Sequence, residues 1–343
     1  MNMRFITQAS SPLLFHLTLR GRTKEGGDCK PLLHSSSSNT YHAWERILLC
    51  VILLLGAAAQ PAAIASPLEL SDDLGHTIKL AKPAQRIISL APHITELLFA
   101  AGLGERVIGA VSYSDYPPQA KDIPRIGTYN NLDIERIAAS RPDLIIGWHE
   151  GNHPAQLDSL RRLGFQLYIN DPQELDNIAD SMEKFGYLGG TEKQAGVAAN
   201  NFRATLKTLR ERYSKRSPVS LFYQVWHQPL MTVNDQHLIG KVISLCGGAN
   251  EFASLRTISP VISLEAVLQS AVEMIVVSGM DENRPEWLDE WRHWPQLPAV
   301  QNDNLYFIPP DILQRHGPRI LEGAQQLCTQ IEQVRIKRTK AQP

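Results

Sequence analysis

Cysteine is scarce: there are four in 343 residues, and Cys29 and Cys50 fall in a stretch expected to be removed from the mature protein. An excess of either charge is missing as well. Lys plus Arg number 34 against 35 Asp plus Glu, for a net charge of −1, so nothing in the balance points to nucleic acid. No Gly-x-Ser-x-Gly elbow occurs, and no cysteine is left over for nucleophilic work. Gly102-Leu103-Gly104 lacks the third glycine of a dinucleotide loop and follows a helical stretch rather than a strand. With these signatures absent, neither a catalytic residue nor a resident metal or cofactor is expected.

What is present begins with an apolar run, Ile47–Ala59, preceded by Arg46 and followed by Ala63-Ile64-Ala65. It is too short to cross a bilayer and ends in small residues, the pattern of a secretory signal cleaved near Ala65. A retained anchor is the alternative. Residues 1–43 are Ser-, Gly- and base-rich without hydrophobic period, and are read as lying upstream of the true start. Export leaves Cys246 and Cys328, an even pair in an oxidising compartment, which reads as a disulfide; buried free thiols are the alternative. Such a closure contributes about 4–5 kcal/mol in the chain-entropy model.

A fragment occurs twice. Ile134–Trp148 and Leu264–Gly279 each place a Glu (Glu135, Glu265) at the head of a short amphipathic helical stretch. Eight residues on comes an acid (Asp143, Glu273), then a buried-strand run. Two copies predict two lobes of one design. From residue 86 strands and helices alternate in both halves, which predicts α/β lobes with mostly parallel sheets over 85–188 and 217–335. Between them Ala195, Ala198, Phe202, Leu206, Leu209 and Tyr213 recur at helical spacing. That predicts one long linking helix within 190–215, opened by a capping box at Thr191–Gln194.

His149-Glu150-Gly151-Asn152-His153 matches the zinc-protease pattern, but it follows a strand directly and stops at Pro154. A loop cannot put both imidazoles on one helical turn, so the match is read as fortuitous. Aromatic residues after strands are more informative. Tyr113, Tyr116, Tyr129 and Trp148 in the first lobe and Trp226 in the second fall where open α/β sheets bind ligands. Flat rings suit a large, partly apolar, rigid ligand. Trp287, Trp291 and Trp294 are read as packing.

Several stretches carry a family likeness. They are Arg86–Leu97, Ser112–Ala120, Leu132–Ile137, Pro142–Trp148, Cys246–Asn250 and Pro318–Cys328. Over roughly residues 85–335 the chain resembles the cobalamin-binding branch of the helical-backbone (class III) periplasmic binding proteins of ABC importers. The resemblance implies two Rossmann-like lobes joined by one long helix, with a corrinoid held between them. Tyr113, Tyr129 and Trp148 match first-lobe wall positions, and the family's disulfide falls on Cys246 and Cys328. Its two permease-docking acids fall on Glu135 and Glu265. At second-lobe wall positions the chain departs, with Ser259 in place of a Trp and Val225 in place of an aromatic, Trp226 standing beside it. The implied partners are cobalamin as cargo and an inner-membrane permease with its ATPase; a monomer is expected. Haem or a ferric siderophore is the alternative cargo, with His93, His149 and Tyr116 available as axial groups.

Overall fold

The computed structural model describes residues 67–279 and 283–341. The expected leader, its cleavage near Ala65 and the extension 1–43 lie outside the described residues. Among those described, no helix is long and apolar enough to cross a membrane.

The chain opens with an antiparallel hairpin, β1 (Leu68–Ser71) and β2 (Thr77–Leu80), which the sequence reading had not included. Asp73, in its turn, ties it to the first lobe by accepting from Tyr168 Oη (2.8 Å) and Lys184 Nζ (2.6 Å). The first lobe follows as β3 (Ile87–Ser89), α1 (Pro92–Ala100), β4 (Val107–Ala110), the two-residue strands β5 (Gly127–Thr128) and β6 (Asn131–Leu132), α2 (Ile134–Ala139), β7 (Leu144–Trp148), α3 (Pro154–Arg162), β8 (Leu167–Asn170) and α4 (Leu175–Gly189). The linking helix is α5 (Glu192–Tyr213). The second lobe comprises β9 (Val219–Gln224), α6 (Leu238–Leu245), β10 (Gly248–Asn250), α7 (Leu264–Leu268), β11 (Met274–Val277), α8 (Pro298–Gln301), β12 (Leu305–Phe307), α9 (Pro310–Leu313) and α10 (Ile320–Ala341).

Each lobe holds one four-stranded, wholly parallel sheet, ordered β4-β3-β7-β8 in the first and β10-β9-β11-β12 in the second. Strand residues alternate between faces with period two. Leu144 and Ile146 join the large inner core while Ile145 joins the outer one; Leu221 and Tyr223 face inward while Phe222 faces outward. That inner core is continuous through both sheets and the linking helix. Ala195, Ala199, Phe202, Leu206, Leu209 and Tyr213 of α5 are all buried in it. A 22-residue helix is ~33 Å long, and one with a buried stripe along its length resists bending.

The repeat seen in the sequence recurs in three dimensions. α2 precedes β7, and α7 precedes β11, each strand third in its sheet. Asp143 accepts from the backbone N–H of Gln85 (2.9 Å) and Arg86 (3.0 Å), and Glu273 accepts from that of Ser220 (3.1 Å). In both lobes, then, the acid before the third strand clamps the start of its neighbour.

One local reading needs correction. Thr191 caps no amide of α5; its hydroxyl donates instead to the Ala101 carbonyl at the end of α1 (2.7 Å). Glu286–His293 winds as a 3-10 helix, and the terminal α10 runs from Ile320 to Ala341. Cys246, at the end of α6, is bonded to Cys328 on α10 across 82 residues, stapling the terminal helix to the lobe.

Candidate functional site

In each sheet the strand order reverses between the second and third strands, β3 and β7 or β9 and β11. The crevice beyond their carboxyl ends is where open α/β sheets place ligands, because backbone N–H groups and loops there are free to converge. Trp148 is the last residue of β7, and β3 feeds α1, whose first turn carries His93. The two rings meet edge to face at 5.1 Å. Tyr129, in the β5–β6 turn, lies 6.0 Å from Trp148. Tyr129 and Trp148 thus form one aromatic surface.

The loop after β7 is what seats these rings. Asn152 is 3% exposed. It accepts from the Trp148 N–H (2.7 Å) and donates to the carbonyls of Leu90 (2.9 Å) and Tyr129 (2.6 Å). A Cβ on Gly151 would lie 1.9 Å from Trp148 Cε3, so the indole occupies the room that only glycine leaves. His149 sits in the turn, whereas His153 caps α3 by accepting from Ala155 N–H (3.3 Å). The two imidazoles therefore do not share a helical turn. Among the described residues no group of three His, Cys, Asp or Glu side chains is arranged to hold a metal.

Tyr113 projects beyond β4, 71% exposed, with φ +65. A bulky residue in the left-handed region is uncommon and persists only where its flanks are fixed. Here Ser112 N–H donates to Gly127 O (2.9 Å), and Arg125 holds the Ser114 carbonyl (2.8 Å). Tyr116 is placed differently. Its ring lies 4.0 Å beneath the Arg319 guanidinium. It lines a recess of about 1180 Å³ together with Phe99, Gln194 and Glu322, whose walls include none of Tyr113, Tyr129 and Trp148.

In the second lobe Trp226 follows β9, its indole N–H donating to the Gln228 carbonyl (2.8 Å). Buried Gln224 steadies it, donating to the Trp226 carbonyl (3.3 Å) while accepting from Trp291 Nε1 (2.8 Å). His227 stacks on Trp287 at 5.3 Å, nearly parallel. Trp291 and Trp294 pack in the outer core.

A seam joins the lobes beside this crevice. Glu96 of α1, 3% exposed, accepts from Arg319 Nε (3.1 Å) and NH2 (2.7 Å) and from Arg315 NH1 (3.1 Å). Arg315 also reaches Asp115 (3.0 Å) and Asp311 (2.8 Å). Next to the ions, His93 lies 5.8 Å from His316, and His316 lies 5.4 Å from His237. Burial, reinforced by the Arg315 charge, pushes the His93 imidazole down to about 3. Burial alone pushes His237 down to about 4. His316 falls well below the ordinary range through burial and its two neighbouring imidazoles. All three are neutral near pH 7. Glu96→Ala is expected to destabilise the protein by about 3 kcal/mol, the lower end for breaking a buried ion cluster, because Asp311 and Asp115 still face the arginines. Urea denaturation checks this, and an unchanged midpoint would show the cluster to be incidental.

Glu135 and Glu265 are exposed in the first turns of α2 and α7. Both helices are capped two residues earlier. Asp133 accepts from Arg136 N–H (2.9 Å), and Ser263 Oγ accepts from Ala266 N–H (3.2 Å). Its own backbone N–H, then Ser263, hold the Glu265 carboxyl below its ordinary value.

Residues 87–312 match the periplasmic binding protein family. The chain is 41% identical over 256 residues to the vitamin B12-binding protein of Vibrio cholerae serotype O1 (strain M66-2), covering 74% of this chain and 92% of that one. It is 38% identical over 254 residues to the vitamin B12-binding protein of Yersinia pestis (strain Pestoides F), covering 74% and 89%. The crystal structure of the periplasmic vitamin B12-binding protein BtuF of Vibrio cholerae superposes with a TM-score of 0.69 at 39% identity, covering 74% of this chain and 98% of that one. The periplasmic heme-binding protein RhuT from Roseiflexus sp. RS-1 shares the fold, with a TM-score of 0.64 at 23% identity over 73% and 99% of the two chains.

Proposed function

This chain belongs to the periplasmic binding protein family, and from that premise we propose that it captures cobalamin between its lobes and delivers it to an ABC importer. The observation that carries the reading is the Tyr129–Trp148 surface at the switch point of the first sheet, in a chain 41% identical to a vitamin B12-binding protein. Two rigid rings bury broad apolar area at little entropic cost, which suits the edge and face of a corrin. In this reading Tyr113, exposed beyond β4, adds to the first-lobe wall, and Trp226, after β9, serves the second, where Val225 and Ser259 stand at the departing positions. Tyr116 would contribute through the position of Arg319. The cargo leaves unchanged, so the role is binding rather than catalysis, and the protein works as a monomer after export through a leader cleaved near Ala65. Glu135 and Glu265 dock the loaded protein on the membrane permease, whose ATPase drives release.

Haem is less well served. Its two carboxylates would want uncommitted cations, and Arg315 and Arg319 are already matched by Glu96, Asp115 and Asp311. Calorimetric titration tests the choice. Cyanocobalamin is expected to bind one to one with measurable heat, and haem to give none. No heat with cyanocobalamin together with a Soret shift on adding haem would overturn the proposal.

A further inference from the structure

We propose that Asn152 is the positioning residue of the first-lobe aromatic wall, fixing Trp148 and Tyr129 as one unit before ligand arrives. This rests on the cobalamin reading for its consequence, though not for its geometry. The Asn152 side chain is buried in a loop whose next residue, His153, is exposed, and a buried amide must find partners. All three of its partners are backbone atoms, and two belong to the residues that carry the wall, Trp148 N–H and Tyr129 O. The third, Leu90 O, lies at the end of β3, just ahead of the turn whose His93 meets the indole edge to face. One side chain therefore gathers the strand ends of β3 and β7 and the β5–β6 turn. Gly151, directly before it, lets the indole lie against the same loop. Neither ring gains anything from the other unless their backbones are held in register, and among the described residues Asn152 is the side chain that bonds to both.

The test is a double-mutant cycle read by cyanocobalamin titration. Asn152→Asp keeps an oxygen for the Trp148 N–H but sets a carboxylate oxygen against two carbonyls, leaving them unpaired. Affinity is expected to fall at least about tenfold. In a Trp148→Ala background, where only the Tyr129 ring is left to position, the same change is expected to cost clearly less, no more than about threefold. Equal losses in both backgrounds, or no loss in either, would overturn the proposal. A second perturbation guards against a variant that does not fold. Gly151→Ala displaces the indole directly while leaving the Asn152 amide in place, and is expected to produce a comparable loss. Near-UV circular dichroism, referenced to Trp148→Phe, reads ring placement without ligand, and both loop variants are expected to lose the Trp148 signature. If the unaltered protein takes up no cyanocobalamin the cargo assignment fails, yet an unchanged dichroism signature in Asn152→Asp would still be needed to reject the positioning role.

Discussion

Reversing both exposed carboxylates, Glu135→Lys with Glu265→Lys, is expected to abolish delivery to the permease while capture of cobalamin stays intact. The two acids occupy equivalent places: first turn of a capped short helix, immediately before the third strand of a parallel sheet, one in each lobe. A solitary first-turn Glu needs no explanation beyond the helix dipole, worth about 0.3–1 kcal/mol. Matched pairs on two lobes suit a partner that grips both at once, and exposed charge steers association more than it stabilises a fold. Lysine at these positions opposes the dipole and would repel the cationic counterparts expected on the permease. The fold should lose no more than about 2 kcal/mol over the two sites. Cyanocobalamin affinity should stay within about twofold, as for surface changes remote from a site. Uptake by cells carrying the double variant, measured beside calorimetry on the purified protein, separates the two. Undiminished uptake removes the docking role, and weakened binding with normal folding returns both residues to a structural one.

Most of the frame was legible because its signals are local. The runs Leu144–Trp148 and Met274–Val277 are strands buried on both faces, and continuous apolar stretches bounded by helix caps announce such strands. The linking helix was legible from its period, with one addition: Ala199 is fully buried in the core, while Ala198 is partly buried against it. The β1–β2 hairpin does alternate in burial along Thr77–Leu80. Four-residue strands around a turn nonetheless give a weak signal, and its partner Asp73 reaches residues about a hundred positions away. The same distance hid the seam. Glu96 sits in a helical stretch where a carboxylate normally faces water, and nothing local says that Arg315 and Arg319 arrive from the other lobe. Asn152 was hidden by its company, since Gly-Asn after a strand reads as an ordinary turn. Thr191 misled for a related reason. The capping pattern is present, but the hydroxyl is turned to donate to the Ala101 carbonyl rather than to accept from a helix amide.

Acidification from pH 7 to 4.5 is expected to remove about 5 kcal/mol of stability through His93 and His237. In the unfolded chain each imidazole takes a proton near 6.5; in the folded protein His93 does so only at about 3 and His237 at about 4. The unfolded state therefore binds more protons throughout this window. Their contribution is fully present above pH 6.5 and drains away as pH falls toward the folded values. His316, lowered in the same direction, adds to the loss. The seam explains why these groups resist protonation. A proton on His93 would be buried beside Arg315 and against the Trp148 edge, and one on His316 would face two further imidazoles. Other groups titrate nearby. Glu150 and Asp171 are raised by burial and act oppositely, while Asp289, held near 2 by Arg284, contributes only in stronger acid. A difference measurement cancels them. The stability of the unaltered protein minus that of His93→Gln, from urea denaturation at each pH, should change by about 2–3 kcal/mol between pH 7 and 4.5. A flat difference curve would mean that the His93 imidazole is protonated as readily folded as unfolded, and that the seam between the lobes is open to water. A seam held by buried ions, backed by a continuous core and a buried linking helix, leaves little room for hinge motion. The same physics therefore predicts that unliganded and cobalamin-bound forms differ by small lobe displacements rather than by a large rotation.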